Sequence, residues 1–170
     1  MNQPKIKLRS FIPEDRERIL DILTNDRVNR TYMLPDYEKR EDALPLFQRL
    51  TELSHHPGRF VRCIVREDDA IGFLNDVEIK DGRIELGYVI HPDYHNRGYM
   101  TCALKTAIQE LLESGYVCVI CGAFEENRAS QRVMEKCGME KSEQTDEIDY
   151  RGKTHRCVYY RVTNKEGEGT

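Results

Sequence analysis

Apolar and polar residues alternate along "KIKLRSF", residues 5–11, which predicts a strand. In "PEDRERILDILTND" the period becomes helical. Ile19, Ile22 and Leu23 share one face, and Pro13, Glu14 and Asp15 supply the proline and acids of a first turn. A second helix is predicted over 40–53, with Ala43, Phe47, Leu50 and Leu53 on its apolar side and Pro45 confined to its first turn. "HHPG" interrupts the pattern. Three strands follow, at 60–66, 70–79 and 83–90, joined by "EDDA" and by "KDG", whose Asp81-Gly82 is a hairpin signal. A helix over 98–114 is apolar at Met100, Ala103, Leu104, Ala107 and Leu111 and is closed by Gly115. The nearly unbroken apolar run "VCVICGAF" predicts a central strand covered on both faces. A short helix over 129–137 stops at Gly138, and strands near 143–150 and 154–162 flank "RGK". "NKEGEGT" reads as a solvated tail, leaving one domain over 1–163.

The order β-α-α-β-β-β-α-β-α-β-β predicts the α/β class. Hairpins come first and a strand-helix-strand crossover later, so a mixed sheet carries helices packed on it. The 170 residues suffice for one sizeable core, and no repeat period is visible.

Charge narrows the partners. A formal net charge of −4 argues against nonspecific nucleic-acid binding, while leaving room for a local basic pocket. No apolar run approaches the roughly 18 residues of a membrane span, and the first twenty residues have no signal-peptide core, so a cytoplasmic protein is expected. The six cysteines stand singly inside apolar segments, apart from Cys118 and Cys121 in "CVIC". On a strand those two would point to opposite faces, and no second pair completes a zinc site. Reduced core cysteines and no metal are expected.

The chemistry concentrates in "HPDYHNRGYMTCALKTA", residues 91–107. A loop that leaves a buried strand and enters a helix meets unpartnered N–H groups and the positive end of the dipole, which together favour an anion. Gly98 lets a phosphate approach the backbone, and Arg97 adds charge; a glycine needed only for the turn is the plainer alternative. The loop is neither a P-loop nor a dinucleotide-binding fingerprint.

With its neighbouring segments this loop resembles the GNAT superfamily of N-acetyltransferases, most closely the group that acetylates ribosomal-protein N-termini. "LRSFIPEDRERILDIL" is similar to that group's opening strand and helix. "IELGYVIHPDYHNRGYMTCAL" is similar to its acetyl-coenzyme A motif, and "NRASQRVMEKCGM" to its later Asn-x-x-Ser helix. The resemblance implies a mostly antiparallel central sheet with flanking helices and a splayed pair of central strands. It implies acetyl-CoA as co-substrate. The pantetheine arm would bond to backbone amides around Val89 and Ile90, and the pyrophosphate would rest on the loop His95, Asn96, Arg97, Gly98, Tyr99, Met100 and Thr101. The pattern departs at His95, Met100, Cys102 and Met139.

The same resemblance places the general base on the strand before the loop, at Glu85. Independently, Glu85 is the only acid in the otherwise apolar "IELGYVI", and burial would raise its pKa toward neutrality. A solvated charge on the outer face is the alternative. The tyrosine that many superfamily members use as acid is replaced by Met134. The resembled group implies Ser130 as the residue that protonates the thiolate, and Asn127 as a hydrogen-bond partner of the pantetheine arm or the intermediate. Both residue types also cap helices. A strand amide would polarise the carbonyl. His55 and His56 read as solvated loop residues, and His91 has no assigned role.

The acceptor would meet residues 29–42 and "EQTDEIDYRGK", 143–153, where Glu143, Asp146, Glu147 and Asp149 cluster. An acidic rim attracts a cationic amine, although charges on an edge strand also discourage aggregation. A protein or peptide N-terminal amine is the expected acceptor. A polyamine-like or aminoglycoside-like amine is the alternative, as is a noncatalytic acyl-CoA-binding module, and the chain would be a monomer or a homodimer.

Overall fold

The computed structural model describes residues 3–164, so the predicted tail lies outside the described residues from 165 on. The elements are β1 (Lys7–Arg9), α1 (Arg16–Leu23), α2 (Asp26–Asn29), α3 (Leu44–Ser54), β2 (Val61–Arg66), β3 (Asp69–Lys80) and β4 (Arg83–Ile90). They continue with α4 (Tyr99–Glu113), β5 (Cys118–Phe124), α5 (Arg128–Lys136), β6 (Glu140–Tyr150) and β7 (Lys153–Thr163). Among the described residues seven strands hydrogen-bond in the order β1-β2-β3-β4-β5-β7-β6. The sheet is mostly antiparallel, with β4 and β5 parallel. Two compact units share the long elements: residues 3–75 with 88–103, and residues 76–87 with 104–164.

In the first unit the predicted opening strand is shorter than its alternation suggests. After Arg9 the chain peels away, because the Phe11 amide donates to Ser54 Oγ at 3.0 Å and Ser10 Oγ donates to the Ser54 carbonyl at 2.8 Å. The first helix starts with a 3₁₀ turn at Pro13–Asp15 and ends at Leu23 instead of running to Asp26. Thr24 Oγ1 turns back onto the Leu20 carbonyl, and Asn25 caps a new short helix by accepting from the Arg27 amide at 2.9 Å. Pro45 lies in the first turn of α3, as predicted. Phe11, Ile19, Ile22, Leu23, Phe47, Leu50 and Phe73 form the core of this unit, and the Phe11 ring meets Phe47 and Phe73 edge-on. Asp15 is 2 % exposed yet fully used. It receives two bonds from the Arg9 guanidinium, at 2.7 and 2.9 Å, and one from the Ile12 amide at 2.9 Å.

In the second unit β4 pairs with β5 from Arg83↔Cys118 to Leu86↔Cys121, and β5 continues to Phe124 along β7. The Asp81-Gly82 hairpin takes the expected left-handed backbone at both residues, as does Arg151-Gly152 between β6 and β7. β6 begins three residues before the predicted start, with a register irregularity between Lys141 and Thr145. Val119, Cys121, Met134, Val158 and Tyr160 are buried. All six cysteines are free and four are buried. Burial raises the Cys63, Cys118, Cys121 and Cys157 thiols above their ordinary value, so none is primed as a thiolate.

Candidate active site

In the first unit, the end of β4 is fixed to β3 by a contact that only glycine permits. A Cβ on Gly72 would lie 2.3 Å from the Val89 carbonyl oxygen and 2.9 Å from Ile90 Cα. Next to it the His91 amide donates to the Ile71 carbonyl at 2.8 Å. No sequence motif marks Gly72; a glycine inside a strand pattern is its only signal. Val89 and Ile90 therefore stand at a fixed strand end, both buried.

The chain leaves β4 through a 3₁₀ turn at Pro92–Tyr94, capped by His91 Nδ1, which accepts from the Asp93 amide at 3.1 Å. His95 then turns back. Its Nε2 is 3.1 Å from the Ile90 carbonyl, and because a carbonyl can only accept, the ring proton sits on Nε2. The residue is exposed overall, but its ring tip is shielded, and that desolvation lowers the imidazole pKa against the opposing pull of the carbonyl.

Asn96 and Gly98 both have left-handed backbone, with φ of +60° and +79°, on either side of exposed Arg97. The glycine is thus required by the turn as well as by any close ligand, and a side chain there would also meet the Pro4 ring at 3.4 Å. Helix α4 starts at Tyr99 and runs for 15 residues; its first intrahelical bond is Cys102 N–H to the Gly98 carbonyl, at 3.0 Å. The amides of Tyr99 and Met100 fall in the first turn, where the helix offers no acceptor. No acidic residue occurs between Asp93 and Glu110. Acids ordinarily populate a first turn, and their absence here leaves the positive helix end without a carboxylate from its own segment. Backbone donors, a guanidinium and no carboxylate make a donor set that fits a diphosphate.

In the second unit Glu85 lies half-buried on β4, opposite Ile120. Burial raises its carboxyl pKa above the usual range, and Glu78 and Asp146 add to the effect. Strand register explains the company it keeps. Ile120 pairs with Arg161, Gly122 with Tyr159, and Cys157 with Asp146, so alternate positions bring Glu85, Gly122, Tyr159, Cys157 and Asp146 to one face. A Cβ on Gly122 would be 2.9 Å from the Tyr159 ring, and the Tyr159 hydroxyl donates to Asp146 Oδ2 at 2.8 Å. Of the four acids predicted to cluster on the hairpin, Asp146 lies on this face, whereas Glu147 alternates to the other.

Asn127 and Ser130 meet at the start of α5. Asn127 Oδ1 accepts from the Ser130 amide at 3.2 Å, so the capping use is present. Buried Gln131 was not singled out by the sequence, yet it holds this turn. Its Nε2 is shared among the Phe124, Glu125 and Asn127 carbonyls, at 3.4, 2.8 and 3.3 Å, and its Oε1 accepts from the Tyr160 hydroxyl at 3.4 Å. Met134 is wholly buried and takes no part in any surface chemistry. His55 and His56 are exposed, as expected for a loop.

An acetyltransferase (GNAT) domain model matches residues 5–140. The chain belongs to the GNAT family. As such it is an acetyl-CoA-dependent acetyltransferase, with acetyl-CoA as its co-substrate. It is 27 % identical over 144 residues to an uncharacterized N-acetyltransferase, YoaA, of Bacillus subtilis (strain 168), covering 81 % of this chain and 80 % of that one. Its fold is similar to spermidine N-acetyltransferase from Vibrio cholerae, solved in complex with CoA and spermine (TM-score 0.78, 15 % identity, 93 % and 95 % of the two chains). It is also similar to RimL, a ribosomal L7/L12 alpha-N-protein acetyltransferase solved in complex with coenzyme A (TM-score 0.82, 17 % identity, 93 % of each chain). Among the described residues no helix is long and apolar enough to cross a membrane, and no cluster of three His, Cys, Asp or Glu side chains could hold a metal ion.

Proposed function

We propose that this acetyltransferase acts on a primary amine, a protein or peptide N-terminus, by direct attack with Glu85 as general base. The observation that carries the reading is the half-buried Glu85 carboxyl, which burial holds above its usual pKa, the direction that makes it a stronger base. The substrate ammonium gives its proton to Glu85, and the amine lone pair attacks the thioester carbonyl. The backbone N–H groups of Val89 and Ile90 hold the pantetheine arm and the developing oxyanion. As the tetrahedral intermediate collapses, the Ser130 hydroxyl donates its proton to the departing thiolate and takes up the proton that the new amide nitrogen sheds, so the serine is regenerated. Asn127 binds the pantetheine arm with the amide end that does not cap α5. Loop residues His95 to Thr101 carry the diphosphate, with Arg97 as its counter-ion. The reading also takes the enzyme to be cytoplasmic, as a monomer or homodimer.

The face that joins Glu85, Glu78 and Asp146 favours one other reading, a small polyamine-like acceptor, since three carboxylates attract a multiply charged amine. Both are tested by incubating the enzyme and its Glu85→Gln variant with acetyl-CoA and either N-terminal peptides or polyamines, with acetylated products read by mass. Saturable turnover of peptides alone supports the first reading, and of polyamines alone the second. A variant as fast as the parent removes Glu85 from the mechanism.

A further inference from the structure

The first turn of α4 has an unexplained electrostatic feature. Arg66, at the end of β2, reaches across to the first residue of that helix. Its Nε donates to the Tyr99 hydroxyl at 2.8 Å, and its guanidinium carbon is 5.8 Å from the Tyr99 ring centroid. Among the described residues its other polar contact is loose, a terminal nitrogen 4.0 Å from Glu67 Oε1, with both side chains partly or largely in solvent. An arginine kept for structure ordinarily meets a carboxylate in a tight fork, as Arg9 meets Asp15 in this same unit. Arg66 is oriented instead by a neutral hydroxyl, so its charge is not cancelled and its terminal nitrogens remain largely unspent.

The sign of that charge is wrong for its location. Cations stabilise helix C-termini and are unfavourable beside the positive N-terminal end. Here Arg66 touches residue 99 while Arg97 precedes it by two positions, and the segment from Tyr94 to Gln109 has no acid to offset either. Two arginines at an acid-free helix start are what an anionic ligand would compensate.

We infer that Arg66 is a second cationic ligand for the phosphate groups of acetyl-CoA, held ready by the Tyr99 hydroxyl. The inference rests on the proposed placement of the diphosphate at the loop His95 to Thr101. A guanidinium presenting two terminal nitrogens matches a phosphate oxygen pair better than a single ammonium would. Both the diphosphate and the 3′-phosphate of the co-substrate offer that chemistry.

The test compares the parent with Arg66→Gln and Arg97→Gln against CoA and dephospho-CoA by calorimetry, and against pantetheine by ligand-observed NMR. Arg66→Gln is expected to weaken CoA about fivefold, the scale of one solvent-exposed ion pair, and to leave pantetheine within twofold. A loss shared by CoA and dephospho-CoA assigns Arg66 to the diphosphate, and a loss confined to CoA assigns it to the 3′-phosphate. Unchanged CoA binding, or an equal loss for pantetheine, overturns the inference. Arg97→Gln is the gauge of the underlying reading. If that variant weakens CoA and Arg66→Gln does not, the loop site stands and Arg66 alone is wrong. If neither matters, the loop placement itself is wrong.

Discussion

The Tyr159 hydroxyl donates to Asp146 Oδ2 at 2.8 Å, while the Tyr159 ring occupies the space that a side chain on Gly122 would fill. A buried ring thus fixes a carboxylate from an otherwise exposed edge strand on the face that carries Glu85. Asp146 and Glu78 both help to hold the Glu85 proton, although burial does more. Asp146→Asn removes one like charge, so Glu85 ionises at lower pH in the variant. The acid limb of the kcat/KM profile should move down in pH with the rate at neutrality little changed. An unmoved limb would mean that Asp146 is too well solvated to influence the base.

Glu85→Gln should lower kcat by roughly 10²- to 10⁴-fold, the usual worth of a positioned base. Its effect on stability has the opposite sign. A carboxyl whose pKa is raised on folding binds its proton more tightly in the native state, so its contribution to stability is full below the unfolded pKa and is lost as pH rises through the folded one. At neutral pH the ionised Glu85 is therefore a liability that glutamine relieves. The variant should melt above the parent at pH 7 to 8, with the gap closing toward pH 4. A lower melting temperature at neutral pH would indicate that the charged form is stabilised by contacts beyond those described.

Much of this arrangement was legible in the sequence because periodicity reports burial directly. The apolar runs of β2 to β5, the Asp81-Gly82 hairpin and the glycine loop all lie where their patterns place them. The misses share a cause: side chains that satisfy backbone groups locally. Thr24 and Asn25 end one helix and begin another inside a stretch that reads as continuous, and Ser54 pulls Ser10 and Phe11 off the opening strand. Glu140 to Ser142 pass for loop because an edge strand needs little apolar alternation. At the candidate site, Gly98 is legible as a motif residue, whereas Gly72, Gln131 and Arg66 act through partners 17 to 33 positions away or through several carbonyls at once, which no local pattern encodes.

Gly72→Ala tests how rigidly the strand end must be held. The added Cβ would meet backbone, the Val89 carbonyl at 2.3 Å, and no side-chain rotation relieves that clash. A loss of about 3 kcal/mol is expected, or roughly 6 to 12 °C in melting temperature for a chain of this size. Because Val89 and Ile90 would shift with it, acetyl-CoA binding should weaken in whatever fraction remains folded. A melt within 2 °C of the parent would show that β4 can move aside.

Asn127 can be divided into its two ends. Oδ1 accepts from the Ser130 amide at 3.2 Å and caps α5, whereas Nδ2 has no partner among the described residues. Aspartate keeps the cap, since a carboxylate accepts the same bond and suits the positive helix end, but it has no donor. Alanine removes both functions. Asn127→Asp should therefore melt within about 2 °C of the parent, while Asn127→Ala loses about 1 kcal/mol, or 2 to 4 °C. If Nδ2 donates to the pantetheine arm, both variants weaken binding of CoA and of free pantetheine, in contrast to Arg66→Gln, which spares pantetheine. Full CoA affinity in Asn127→Asp would reduce this residue to a helix cap and leave Ser130 without its expected neighbour at the cofactor.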